Sequence, residues 1–90
     1  MRAARVDLNH AAIVRALRSI GCSVWSTAAT GKGGPDLVCG YRGMNYLFEV
    51  KRADGKLNVL QQRWHDAWRG NVVTVRTPEE AIEVVTGRKL

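Results

Sequence analysis

Two apolar runs joined by a two-residue turn constrain this chain more than any other feature. The runs occupy residues 36–41 and 45–51, and Arg42-Gly43 lies between them. A connection this short predicts that the two strands pair antiparallel. We therefore expect a β-hairpin whose arms are about equal in length.

The hairpin is expected to bring acidic residues together at its open end. Asp36 begins the first strand, and Glu49 and Lys51 lie near the end of the second. Residues two apart on a strand share a face, so Glu49 and Lys51 project together. With equal arms, Asp36 lies opposite them. Two carboxylates and a lysine are thus predicted to meet at one end of a hydrophobic sheet.

The segments around the hairpin predict the element order α-β-β-β-α-β-α. Asp7 can cap the first helix, which Gly21 ends, and residues 27–34 form a polar, glycine-rich loop. Thr77, Pro78 and Glu80 form an N-terminal capping signal. The order indicates one mixed sheet covered by helices, an α/β fold. The remaining predicted elements are strands at residues 22–26 and 71–76 and helices at 57–69 and 78–85.

Composition limits the class of protein. Ninety residues suit one small domain, predicted to span residues 1–90, and a small core of this size favours oligomerisation. A content of 46% hydrophobic and 24% charged residues is typical of a globular protein and not of a disordered one. The net charge of +6 favours a polyanionic partner, nucleic acid before an anionic membrane, although a merely soluble basic surface remains the alternative.

The cysteines and the lengths of the apolar runs indicate the cellular compartment of the protein. Cys22 and Cys39 lack CxxC spacing and a nearby histidine pair, so buried free thiols are expected and a zinc site is not. The N-terminus lacks the apolar segment of a signal peptide. No apolar run approaches the roughly 20 residues that span a bilayer. We expect a cytoplasmic protein without a membrane partner.

The predicted acid pair has a chemical interpretation. Two close carboxylates repel each other, and a hard divalent ion such as Mg²⁺ removes that conflict. The carbonyl of Val50 can add a ligand. Such a metal can activate a water at a phosphodiester, and Lys51 can orient that water or stabilise charge on the phosphoryl oxygens. The structural alternative is that Asp36 closes the preceding turn and that Glu49 and Lys51 form a surface ion pair.

The motif resembles a known nuclease signature. Gly34-Pro35-Asp36-Leu37 followed by Phe48-Glu49-Val50-Lys51 resembles the PD-(D/E)xK pattern, and more narrowly the VRR-NUC family in its short stand-alone phage members. Residues 57–68, LNVLQQRWHDAW, are similar to that family's Gln-containing segment and aromatic helix, although the family's Pro is absent near Val59. The resemblance extends from about Asp7 to Val85. It implies a restriction-endonuclease-like mixed sheet flanked by helices.

The resemblance also implies roles for single residues. Asp36 and Glu49 would bind Mg²⁺ or Mn²⁺, with the Val50 carbonyl as a further ligand. Lys51 would be the catalytic lysine, and Gln61 would assist near the active site. Asn9 stands where the family's first helix commonly contributes a Glu. This substitution retains an oxygen but removes a charge, which weakens the case for a second metal or for full activity.

Further residues are candidates for nucleic-acid contact or for packing. Trp64 and Trp68 lie at helical spacing, which favours core or dimer packing over base stacking. His10 and His65 are expected to be exposed and not catalytic. Gln61 shares the apolar stripe and needs a polar partner if buried. The candidate contacts to the DNA backbone are Lys32, Arg42, Arg52 and Lys56.

The acid pair and the resemblance together predict a metal-dependent DNA endonuclease, and the resemblance implies a bacterial or phage-infected cell. Stand-alone members of the family resemble symmetric dimers, and a two-fold dimer suits a branched substrate such as a Holliday junction. One alternative is a nickase without structural preference. Another is a catalytically weak or inactive module that only binds nucleic acid. A third is a scaffold that uses its tryptophans as an interface, and salt-sensitive DNA binding would exclude it.

Overall fold

The computed structural model describes residues 8–88, which form one four-stranded sheet and three α-helices. The proposed cap residue Asp7 lies outside the described residues. None of the helices within residues 8–88 has the length and apolar character that crossing a membrane requires. In chain order, the elements are α1 Leu8–Ser19, β1 Ser23–Ser26, β2 Leu37–Tyr41, β3 Met44–Val50, α2 Val59–Ala67, β4 Val73–Val75 and α3 Pro78–Thr86.

The predicted hairpin is confirmed. Strands β2 and β3 pair antiparallel, with Leu37 opposite Phe48 and Tyr41 opposite Met44. The two-residue turn between them has a positive φ at Arg42 (51°) and at Gly43 (81°). Positive φ at both central residues is typical of the type I′ turn, whose backbone twist matches that of the paired strands. One residue beyond this register, the Asp36 amide donates to the Phe48 carbonyl, so Asp36 lies at the open end of the hairpin beside Phe48.

The rest of the sheet follows the predicted mixed order. Strand β1 pairs antiparallel with β2, and β4 pairs parallel with β3, so the strand order is β1-β2-β3-β4. The parallel pairing requires a crossover, which contains α2. The mixed α/β fold predicted from the sequence is confirmed.

The hydrophobic core lies on one face of the sheet, where α1 and α3 pack against each other. Inward residues alternate along β2 and β3 as the strand period requires. Both cysteines are free and buried, as predicted. Burial raises the pKa of the Cys39 thiol to about 12, and the neighbouring Cys22 adds to the shift. The core consists of Ile13, Leu17, Cys22, Leu37, Cys39, Phe48, Val50, Val75, Ala81 and Val85.

Helix ends agree with the capping chemistry more closely than with the apolar stripe. Thr77 caps α3 by accepting a hydrogen bond from the Glu80 amide, and Gly87 ends it in the left-handed conformation. Helix α2 was predicted over residues 57–69 but spans only Val59–Ala67. Asn58 is its N-cap, and Trp68 is already extended.

Three further expectations need correction. The glycine-rich segment 27–34 is not wholly irregular, because Ala28–Thr30 form one 3-10 turn. The apolar stripe predicted on α2 is not buried, since none of its residues is fully buried and Leu60 is 57% exposed. Neither Trp64 nor Trp68 belongs to the hydrophobic core. The strand β4 is three residues long, shorter than predicted.

Candidate active site

The open end of the β2–β3 hairpin brings Asp36 and Glu49 together. The main-chain N–H of Val50 donates a hydrogen bond to Asp36 Oδ2 over 2.8 Å. The Asp36 amide in turn donates to the Phe48 carbonyl over 2.9 Å, so the strand pairing continues through this residue. Asp36 is therefore fixed to β3 by its main chain and its side chain. We call Asp36, Glu49 and Lys51 the acid end of the sheet.

Glu49 is the buried member of this group. Only 1% of its surface is exposed, and it is the one buried charged residue among those the structure describes. Burial raises the pKa of Glu49 to about 8, the nearby Asp36 carboxylate adds to the shift, and the charge of Lys51 opposes it. The carboxyl group is thus held where its charged form is disfavoured unless a cation is added.

Helix α2 supplies a polar partner to Glu49. Gln61 Nε2 donates to Glu49 Oε2 over 3.1 Å, while Gln61 Oε1 accepts from the Asn58 amide over 2.9 Å. The Gln61 main-chain amide donates in turn to Asn58 Oδ1, which completes a capping box at the start of α2. The same side chain that begins the helix therefore positions the buried carboxylate. Gln61 thus contacts Glu49 directly, while its role in an active site stays a prediction.

His65 also lies at the acid end, which the sequence reading missed. Its Nε2 is 3.8 Å from Glu49 Oε1, and its side chain is 11% exposed. The expectation of an exposed histidine is therefore wrong. His65 follows Gln61 by four residues, so both share one face of α2. The four-residue spacing is the sequence signal that could have placed His65 at the site. It does so only if Gln61 is already assigned to the site.

Asn9 fixes the main chain beside the acid end. Its Nδ2 donates to the Lys51 carbonyl over 2.8 Å and to the Arg76 carbonyl over 3.1 Å. The Lys51 amide donates to the Val75 carbonyl over 3.0 Å. The start of α1 is thereby tied to the ends of β3 and β4. Asn9 is part of this neighbourhood, but its two hydrogen bonds from Nδ2 go to the main chain.

Buried polar atoms without hydrogen-bond partners concentrate around this end. Among the described residues they are Asn9 Oδ1, His10 Nε2, Glu49 Oε1 and His65 Nε2. Each unsatisfied buried group in a folded protein calls for an explanation, and one of these is a water or an ion. The Glu49 oxygen and the His65 nitrogen face each other at the acid end.

The structure separates the four candidate DNA contacts into two places. Lys32, Arg52 and Lys56 are exposed on loops that enter or leave the acid end of the strands. Arg42 lies at the opposite end of the hairpin, where its guanidinium is 5.2 Å from the centre of the Tyr41 ring. A nucleic acid that contacts all four residues would have to extend along the hairpin.

A metal at the acid end would depend on few protein side chains. Within residues 8–88, no group of three or more His, Cys, Asp and Glu side chains is arranged to hold a metal ion. Two carboxylates with waters and substrate oxygens are, however, the donor set that Mg²⁺ commonly takes. The partnerless oxygen of Glu49 and the raised pKa of its carboxyl fit such an ion.

Comparisons with known proteins agree with the fold. A comparison with models of protein families finds no match, and neither does a comparison with curated proteins. The chain is similar to a solved structure described as a "VRR_NUC domain", with a TM-score of 0.68 and 22% sequence identity. The similarity covers 89% of this chain and 97% of that one. The chain thus has the VRR-NUC-like fold that its motifs indicated.

Proposed function

We propose that this protein is a metal-dependent nuclease that hydrolyses phosphodiester bonds in DNA at the acid end of the sheet. The observation that carries the proposal is the pairing of Asp36 with the buried Glu49, whose Oε1 has no hydrogen-bond partner. A protein that only bound nucleic acid would gain nothing from two carboxylates beside the phosphates. The VRR-NUC-like fold supports the same activity.

Asp36, Glu49 and the Val50 carbonyl are the proposed ligands for Mg²⁺ or Mn²⁺. The regular pairing of β2 with β3 ends at Leu37 and Phe48, so Val50 lies beyond it at the open end of the hairpin. The Val50 amide already donates to Asp36 Oδ2, which places the main chain of Val50 beside the proposed ligand Asp36. When bound, a divalent ion would polarise the phosphate and lower the pKa of a coordinated water.

The residues around the ligands have distinct proposed roles. Lys51 stabilises negative charge on the phosphoryl oxygens with its ammonium group, and its main chain is fixed by Asn9 and Val75. Gln61 is a positioning residue, because it acts through its hydrogen bond to Glu49. Water adds across the phosphorus–oxygen bond, so one product end carries a phosphate and the other a hydroxyl group.

A metal titration tests the ligand assignment without relying on activity. The change in melting temperature on adding Mn²⁺ is measured for the wild type, Asp36→Asn and Glu79→Gln. Glu79 is an exposed acid in the first turn of α3, so Glu79→Gln controls for the loss of one negative charge. We expect Mn²⁺ to stabilise the wild type and the control but not Asp36→Asn. Equal stabilisation of all three proteins would reject the acid end as the metal site.

Branched DNA is the proposed preferred substrate. This part of the proposal rests on the resemblance to stand-alone family members, with a homodimer that presents two acid ends to a two-fold junction. The test compares cleavage of a labelled four-way junction with that of a linear duplex of the same sequence, in EDTA, Mg²⁺ and Mn²⁺. Faster cleavage of the junction would support the preference for branched DNA. Equal rates would instead indicate a nickase without structural preference.

A binding module without catalysis is the second candidate function. Asn9 favours it, because both hydrogen bonds of its Nδ2 are made to main-chain carbonyls and its side chain carries no charge for a second metal. Salt-sensitive DNA binding without cleavage in either metal would establish this alternative. Cleavage that is lost in Lys51→Ala would exclude it.

A further inference from the structure

An open groove lies beside the acid end and has no role in the mechanism above. Its volume is about 340 Å³. This lies at the lower end of the range for pockets that hold small organic groups. The lining residues are Trp25, Thr27, Thr30, Gly31, Lys32, Gly34, Pro35, Val38 and Trp64.

The groove and the acid end share one face of the sheet. Val38 is paired with Leu47, which precedes Glu49 by two residues on β3, so Val38 and Glu49 project from the same face of the sheet. Trp25 is paired with Val38 across β1 and β2, which puts its indole on this face as well. Two residues along a strand correspond to about 7 Å. A single nucleic-acid strand can therefore reach both places.

The walls of the groove offer an aromatic surface to a planar group. Trp25 is 68% exposed, although it is one of the largest apolar side chains in the protein. Trp64 stacks on Trp68, with ring centres 4.7 Å apart and an angle of 16° between the planes. Trp64 is therefore held in place on α2. Exposed aromatics next to a polyanion-binding site are the usual platform on which unpaired bases stack.

The charge of the groove is complementary to a nucleotide. Among residues 8–88, Lys32 is the one charged residue that lines it, and none of these lining residues is acidic. Lys32 has a φ of 62°, and the flanking Gly31 and Gly33 also have positive φ. This conformation is uncommon for a residue with a side chain and is found in segments that serve a function. The loop thus presents a cation at the rim of an aromatic groove.

We infer that this groove binds an unpaired nucleobase of the nucleic-acid strand whose phosphodiester lies at the acid end. The base stacks on Trp25, and Lys32 contacts a phosphate of the same strand. This inference rests on the proposed function, because it assigns the base next to the cleaved bond. It predicts that the protein distinguishes DNA with an extruded nucleotide from fully paired DNA.

The test measures binding in EDTA, so that no cleavage is involved. Fluorescence anisotropy gives the Kd for a labelled duplex with a one-nucleotide bulge and for the paired duplex of the same sequence. We expect the wild type to bind the bulged DNA about tenfold more tightly, since base stacking on an aromatic side chain contributes a factor of this order. Trp25→Ala should remove the preference, and Trp25→Tyr should retain most of it.

Two further variants serve as controls. Met44 is also exposed, but it lies at the far end of the hairpin on the other face, so Met44→Ala should leave both affinities unchanged. Lys32→Ala should weaken binding of both DNAs, because its phosphate contact does not depend on the base. A circular dichroism spectrum of each variant verifies folding.

The outcomes separate this inference from the proposed function. Equal wild-type affinity for the two DNAs, or a preference that survives in Trp25→Ala, would overturn the nucleobase site. A Trp25-dependent preference without cleavage in Mg²⁺ or Mn²⁺ would uphold the site and overturn the nuclease. If sedimentation shows that Trp25→Ala converts a dimer into a monomer while the bulge preference persists, the groove is an interface between copies, and the inference is wrong.

Discussion

Glu49 is a carboxylic acid in surroundings that favour its neutral form. It is buried, and it lies beside Asp36, while Gln61 donates to only one of its oxygens. A protein selected only for stability would replace such a group with an amide or an apolar side chain. Its presence is best explained by a cation that the carboxylate binds during function.

The raised pKa of Glu49 predicts how stability depends on pH without metal. The folded-state pKa is about 8, against an ordinary value of 4.5. Between these values the folded protein binds a proton that the unfolded chain has lost, so stability decreases as pH rises. Urea unfolding in EDTA should therefore show higher stability at pH 5.5 than at pH 8.5.

Glu49→Gln is the matched control for that dependence. The amide cannot ionise, so most of the difference between pH 5.5 and pH 8.5 should disappear, and the variant should be more stable than the wild type at pH 8.5. The account would be contradicted if the wild type became more stable as pH rose, or if the variant kept the full dependence.

The glycine-rich loop and helix α2, which flank the acid end, pack against each other at Gly33. A Cβ atom added at Gly33 would lie 2.4 Å from the Leu60 carbonyl oxygen, and φ there is +84°. The start of α2 can lie this close to the loop only because position 33 lacks a side chain. A side chain at position 33 would push the loop and the start of α2 apart.

Gly33→Ala is expected to cost more stability than Gly31→Ala. Gly31 has a φ of +70° and a ψ of −157°, a combination essentially confined to glycine, and nothing lies within 4 Å of an added Cβ, so Gly31→Ala isolates the backbone penalty, about 1–3 kcal/mol. Gly33→Ala should add a steric clash with Leu60 to that penalty and displace the start of α2. Because α2 carries Gln61, which contacts Glu49, the displacement should also lower the cleavage rate. Urea unfolding and cleavage rates measure both effects. Similar losses for the two variants would show that the packing of the loop on α2 is unimportant.

The N-cap of α2 is linked to the site through Gln61. Asn58→Ala should cost about 1 kcal/mol of stability, as loss of a cap does. It should also lower the cleavage rate by about tenfold, because the Gln61 main-chain amide loses its acceptor, Asn58 Oδ1, and the first turn of α2 no longer holds the Gln61 side chain firmly against Glu49.

Thr77→Ala removes the equivalent cap from α3 and provides the comparison. It should cost a similar free energy of unfolding but leave the cleavage rate nearly unchanged. If the two variants lower activity equally, the effect of Asn58 is one of stability alone.

The sequence predicted elements well where local chemistry determines them. The Arg42-Gly43 turn fixed the hairpin register, and Thr77 with Pro78 fixed the start of α3. Helix α2 was predicted too long, because its apolar stripe suggested burial that the tertiary structure does not provide. His65 was missed for a related reason: nothing local shows that α2 lies over Glu49. The hydrogen bonds from Asn9 to the main-chain carbonyls of Lys51 and Arg76 could not be predicted either, because these residues are distant in the sequence.

At the scale of the whole molecule, the charge of +6 predicts salt-dependent DNA binding. The logarithm of the affinity should decrease linearly with the logarithm of the salt concentration. Lys32→Ala and Arg52→Ala should each reduce the slope by about 1, since each removes one phosphate contact near the acid end. A slope that neither variant changes would place the DNA elsewhere on the surface.

The central claim is that the acid end cleaves DNA with a divalent metal. The most direct measurement is the cleavage rate of a labelled DNA by the wild type, Asp36→Asn and Glu79→Gln, in Mg²⁺, Mn²⁺ and EDTA. The account predicts cleavage by the wild type and Glu79→Gln in metal, none in EDTA, and a loss of at least about 100-fold in Asp36→Asn. Cleavage that persists in Asp36→Asn, or in EDTA, would contradict it.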